Sequence, residues 1–262
     1  MSYPSALLEV LDHVIAPAAE LADRDGKFPR TSVAALGRAG LLGLTCPADP
    51  ADGPARFGRA AEVVARIATV CPATAAVLQS HYAAAAVVAA HGGPWLRGEV
   101  AGGRHLCSLA VADDAEGAVR PTAWGTAGVV ALRARKRDVV AAGEADSYIW
   151  SSPAVGAAGE LTLWGVPAHA PGLFVPARPT GTPHASATST VVADPVRVPA
   201  EARLGADGAG LGILAGTVEP WLRELRAAVG PDAVHPSLEA WAPAVPGEAP
   251  QPLEACAAMA LR

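Results

Sequence analysis

Apolar residues at Leu7, Leu8, Leu11, Val14 and Ile15 share one face at helical spacing, and that period governs the first hundred residues. A second helix is predicted at about 32–39, where Thr31 can cap the start and Gly40 suits the left-handed residue past the end. A third spans about 56–70, with Ala60, Val63, Val64 and Ile67 on one side. Pro72 opens a fourth that reaches His91 and stops at Gly92-Gly93. This fourth helix is apolar nearly all round, which makes it the centre of a bundle.

After about Arg104 the period changes. Short runs rich in Val, Leu, Tyr, Trp and Thr (105–111, 129–135, 147–152, 161–166, 188–192) alternate with Gly, Pro and Asp clusters, predicting an antiparallel sandwich or barrel. Helical character returns at about 210–229, interrupted by Pro220; the remainder is proline-punctuated and irregular, with a last short helix possible at 253–261. The expected class is α+β. Its parts are an N-terminal helical bundle (1–103), a middle β-domain (104–205), one helix (206–230) and a Pro-rich tail (231–262).

Composition narrows the function classes. The chain has 262 residues, 51% of them hydrophobic, enough for a sizeable core, and a net charge of −5. No basic block exceeds the short cluster at 133–137, so binding to nucleic acid by phosphate neutralisation is not expected. The N-terminus lacks a basic leader, and the apolar run at 83–90 is too short to span a membrane; a cytoplasmic protein is expected. Cys46, Cys71, Cys107 and Cys256 lie far apart with no C-x-x-C pair, which predicts free thiols and no structural metal. Neither G-x-S-x-G nor a phosphate-loop pattern occurs; "GADGAGLG" (205–212) is a weak dinucleotide signal.

Local motifs sharpen the element order. "FPRTSVAALGRAGLLGLTCP" (28–47), "CPATAAVLQSHYAAAAVVAAHG" (71–92), "LTLWGVPAHAPGL" (161–173) and "VRVPAEARLG" (196–205) together resemble the acyl-CoA dehydrogenase family over roughly residues 7–230. The resemblance implies α,β-dehydrogenation of an acyl thioester, in which a carboxylate takes the α-proton and FAD the β-hydride. It also implies two flavin segments. In the first, "CSLAVADDAEGA" (107–118), Ala112 takes the family's hydroxyl position, Asp113 and Asp114 replace Glu-Pro, and Glu116 enters the turn. Carboxylates are electrostatically wrong beside an anionic cofactor. In the second, "RKRDVVAAGEADSYIW" (135–150), the family pattern K-x-W-x-T keeps Lys136 but sets Asp138 at the aromatic and Val140 at the hydroxyl. The family's C-terminal helical domain has only its first helix here, so a truncated form is expected, with apolar surface exposed for a homodimer or a heteromer with a full-length homologue.

Three readings stay open. The first is a non-redox protein that has lost FAD and binds an acyl or polyketide-like ligand, or serves as an accessory subunit. The second is a cofactor-independent cyclase or isomerase, with Asp113, Asp138, His81 and Glu219 as candidate catalytic groups. The third is an FAD-dependent dehydrogenase completed by a partner chain. Each candidate residue has a plainer role. Asp113, Asp114 and Glu116 suit a solvated turn, His81 with Tyr82 a satisfied interior pair, and Glu219 a first-turn carboxylate. Arg133, Arg135 and Arg137 alternate on one strand face, where they could meet a phosphate or guard an exposed edge. Trp150 and Trp164 read as core aromatics.

Overall fold

The computed structural model describes residues 3–47, 55–114, 120–126, 128–157, 161–177 and 185–241. Glu116, Cys256 and the helix expected at 253–261 lie outside them. The first helix, α1 (Tyr3–Val10), runs through a π-turn at Leu11–Ile15 into α2 (Ala16–Asp25), and Leu7, Val10, Leu11 and Ile15 are buried. Helix α3 (Arg30–Arg38) starts before Thr31, at Pro29, and no side chain caps it; Gly40 is left-handed at φ +72°, as expected. Helix α4 (Ala55–Ala68) buries Phe57, Ala60, Ala61, Val63, Val64 and Ile67, the face the sequence marked.

Helix α5 (Pro72–His91) is the bundle centre. Its four polar residues at 79–82 each secure a different neighbour. Ser80 Oγ lies 2.9 Å from Ser108 Oγ and accepts from the Leu109 N–H at 3.1 Å. Tyr82 donates to the Leu41 carbonyl at 2.6 Å, while its own carbonyl accepts from Thr45 at 2.9 Å. Every buried polar group here has a partner, which is what lets an apolar helix carry Gln-Ser-His-Tyr through a core. This is also the one helix among the described residues long and apolar enough to cross a membrane, and most of it is buried inside the protein. A short helix that the sequence reading did not anticipate, α6 (Pro94–Ala101), leads into the β-domain.

That domain consists of two four-stranded sheets. One has the order β1 (Cys107–Ala110), β4 (Ser147–Ser152), β5 (Thr162–Pro167), β8 (Arg203–Leu204); the other has β2 (Thr122–Thr126), β3 (Val129–Val139), β7 (Ser189–Pro199), β6 (Leu173–Phe174). All pairings are antiparallel except β1 with β4, which is parallel. Trp150 and Trp164 face each other across β4 and β5 in the core, as expected. Strand β3 is longer than its apolar run and lies inside its sheet, so its arginines do not guard an edge.

Helix α7 (Gly210–Val229) returns to pack on α4 and α5 through Leu214, Val218, Trp221, Leu222 and Leu225. Pro220 sits within this helix rather than dividing it, because the buried residues on either side hold the axis through the missing N–H. Its outer face carries Ala215, Gly216, Arg223, Glu224, Ala227 and Ala228. Among the described residues the exposed large hydrophobics are Leu8, Trp95, Trp124, Val129 and Phe174, all on other elements. The start of the expected irregular tail is also ordered. Two 3-10 turns, Pro231–Ala233 and Pro236–Leu238, bring Val234, Ser237 and Leu238 into the core.

Candidate functional site

The alternation that turns Arg133, Arg135 and Arg137 outward on β3 turns Lys136 inward. Each arginine meets a carboxylate: Arg133 that of Asp194, Arg135 that of Asp114 at 2.6 Å, and Arg137 that of Asp138 at 2.5 Å. Lys136 is fully buried, with its Nζ 2.7 Å from Asp113 Oδ1, 2.6 Å from Ser151 Oγ and 5.5 Å from the centre of the Trp150 ring. Burial pulls its pKa down, and Asp113 opposes that shift. Asp113 and Asp114 are thus ion-pair partners of β3, not a freely solvated turn. Ser151 in turn donates to the Val111 carbonyl at 2.9 Å.

Beyond Lys136 the strand ends in a tight, closed loop. Asp138 and Ala141 are left-handed, at φ +55° and +53°. Val140 and Ala141 are buried, and the Ala141 and Ala142 amides each donate at 2.9 Å to the carbonyls of Ser186 and Ala187. The Val140 carbonyl accepts from Ser108 Oγ at 2.6 Å. Ala112 is buried as well, and its carbonyl accepts from the Arg137 N–H at 3.0 Å. The 3-10 turn at Pro236–Leu238 packs over this region, against α5, β1 and β3.

The remaining two candidates lie on helices. His81 is fully buried; its Nε2 donates to the Leu42 carbonyl at 3.1 Å and its Nδ1 accepts from the Cys107 N–H at 3.1 Å. That pair of bonds fixes a neutral imidazole, and burial lowers its pKa to about 4. Glu219 lies inside α7, half exposed, and accepts from Arg226 at 3.1 Å. No hydrogen bond or ion pair joins any two of Asp113, Asp138, His81 and Glu219. Among the described residues no group of three or more His, Cys, Asp or Glu side chains could hold a metal.

Two polar anchors escaped the sequence reading. Gln79 bonds two backbone groups near the C-terminal end, as set out below. Asp207 accepts from the amides of Val155, Gly156 and Ala157 and from Thr162 Oγ1 at 2.6 Å. Burial would raise its pKa, but these donors outweigh it and hold the carboxyl well below the usual range. The only hint of Asp207 was an acidic residue inside a Gly-rich loop.

An open cavity of about 580 Å³ lies where the helices meet the β-domain, lined by Phe28, Val33, Arg38, Leu42, His105 and Asp146 among others. Arg30 and Arg104 also border it, paired with Glu144 and Glu99 respectively. Arg38 has no ion pair among the described residues; its Nε reaches only the Ala34 carbonyl, at 3.4 Å. His105 bonds Ser147 at 3.0 Å and meets the exposed Trp95 edge to face, the ring centres 5.8 Å apart.

This assembly of helices, two sheets and a returning helix is found in solved acyl-CoA dehydrogenases. Butyryl-CoA dehydrogenase from Megasphaera elsdenii matches with TM-score 0.73 at 18% identity, over 86% of this chain and 63% of its own. A glutaryl-CoA dehydrogenase in complex with glutaryl-CoA matches with TM-score 0.73 at 22% identity, over 86% and 61%. KijD3, solved with FMN and a dTDP-linked amino-keto sugar, matches with TM-score 0.64 at 24% identity, over 87% and 59%. The chain thus spans about three-fifths of the length of these structures. Residues 5–100 match the family model for the acyl-CoA dehydrogenase N-terminal domain. Residues 5–100 thus resemble that family's N-terminal domain, and the described chain shares the fold of these structures. No curated protein sequence matches it.

Proposed function

We propose that this chain is a non-redox relative of the acyl-CoA dehydrogenases, which does not take FAD in their manner and binds an amphipathic, acyl-type ligand at the junction of helices and sheets. The burial of Val140 carries the reading. Where the resemblance implies a hydroxyl for the flavin's reactive edge, there is an aliphatic side chain under a closed loop. The other flavin positions agree: Ala112 offers no side-chain donor, Asp138 is committed to Arg137, and Asp113 neutralises Lys136. Flavin does not fit these residues.

The junction cavity supports the ligand side of the reading. It combines apolar walls (Phe28, Val33, Leu42) with Arg38, whose guanidinium keeps most of its donors available. A medium-chain carboxylate fits that chemistry, its tail on the apolar wall and its head on Arg38. The test has two arms. After excess FAD and gel filtration, the protein is expected to show no visible absorption band; a retained band overturns the non-redox reading. Octanoate is expected to change Trp95 fluorescence, and Arg38→Ala to weaken that response at least tenfold. An equal response in the variant overturns the assigned site.

A further inference from the structure

Residues 231–239 pack on α7 through Pro231–Ala233 and enter a trough walled by α5, β1 and β3 through Pro236–Leu238. The segment leaves α7 at Gly230, whose φ of +84° and ψ of 155° belong to a region that only glycine occupies readily, and a Cβ there would meet nothing. Two side chains hold it: Arg226 of α7 donates to Glu239 at 2.9 and 3.1 Å, and Gln79 bonds the backbone between. Gln79 donates through Nε2 to the Ala233 carbonyl at 3.0 Å and accepts through Oε1 from the His235 N–H at 2.8 Å. Thr188 Oγ1 lies 3.4 Å from His235 Nε2, and Leu238 is fully buried. The strands β1 and β3 against which it packs carry the buried apolar Leu109 and Val139.

A primary amide that donates to one C=O and accepts from the N–H two residues further on reads two successive peptide groups. We propose that 231–239 is an intramolecular strap filling a peptide-reading trough, and that it opens about Gly230 to expose a site for an extended peptide segment of like chemistry. The strap is built for local opening. It adds no strand or long helix, its turns close on themselves (Leu238 N to His235 O at 3.0 Å, Glu239 N to Pro236 O at 3.1 Å), and its backbone is tied to the trough through the Gln79 amide. When it lifts, Gln79 is left with a donor and an acceptor that its occupant must replace.

Hydrogen exchange on the full chain tests the opening. In the wild type, the amides of Leu238 and Glu239 are expected to exchange before those of α5 and α7; exchange only in step with those helices overturns the strap. Gln79→Ala is expected to speed exchange in 231–239 at least tenfold and leave α7 unchanged, whereas an unchanged rate overturns the clamp. The probe for the trough is a labelled peptide, GPDAVHPSLEAW, matching residues 230–241. It is expected to bind Leu238→Ala at least tenfold more tightly than wild type, and to lose that gain when Gln79→Ala is added. No binding by a Leu238→Ala protein whose strap exchanges faster overturns the trough as a site. Flavin uptake and octanoate binding enter none of these readouts, so this inference and the function proposed above can fail separately.

Discussion

Lys136 shows how much one residue's environment rests on a parity rule. Outward arginines at odd positions on β3 force the intervening lysine inward, where only Asp113 balances its charge. The two partners are unequally buried: Lys136 is 0% exposed at its side chain and Asp113 is 39% exposed. Asp113→Asn should therefore cost about 3 kcal/mol, because it strands a buried ammonium. Lys136→Met should cost well under half of that, since the freed carboxylate reaches water; urea unfolding of both variants checks the order. His81 carries the matching statement about pH. Its pKa in the folded protein is about 4, below the ordinary 6.5. Between those values the unfolded chain binds the extra proton, so stability is full above about pH 6.5 and falls as pH drops toward 4. A loss on the order of 3 kcal/mol across that window is expected from the shift. Denaturation midpoints at pH 7 and pH 4.5 should differ in wild type and much less in His81→Gln.

At the scale of elements, close backbone contact decides what periodicity cannot. Gly37 lies within α3, where alanine would ordinarily be favoured by about 1 kcal/mol. Here a Cβ would stand 2.3 Å from the Gly103 carbonyl oxygen, on the turn that links α6 to β1. Gly37→Ala is accordingly expected to lower the melting temperature. Gly98→Ala, inside α6 with nothing within 4 Å, is expected to raise or preserve it. Helices α4 and α5 were legible because their apolar faces are long. The short α6 was not, its eight residues carrying no strong apolar stripe. Strands β2, β6 and β8 were missed for a similar reason. Two have only two residues, and Thr122–Thr126 alternates small residues with one tryptophan. Register shifts after Leu132 and Lys136 on β3 were equally invisible, since a bulge is fixed by the partner strand.

For the whole molecule, the sequence motifs identified the fold, and the solved relatives share it. Closure of the molecule was not readable from motifs. Small and charged residues line the outer face of α7, and the segment after Gly230 turns back onto the core. Trp221 joins these layers, donating to the Gln79 carbonyl at 3.3 Å and meeting the Tyr82 ring edge to face. Trp221→Ala should cost about 3–5 kcal/mol, measured by chemical denaturation, because the cavity opens between α5 and α7.

By itself the sequence determined the order of the long helices and main strands and the buried face of each long helix. These follow from local period and residue chemistry, which a chain carries wherever it folds. Tertiary structure alone decided that Asp113 and Asp114 are paired with β3, that His81 is sealed between the Leu42 carbonyl and the Cys107 N–H, and that residues 231–239 fill the trough. Each of those depends on groups far apart in the chain meeting in a desolvated space, where an unpaired charge or amide costs more than any local preference supplies.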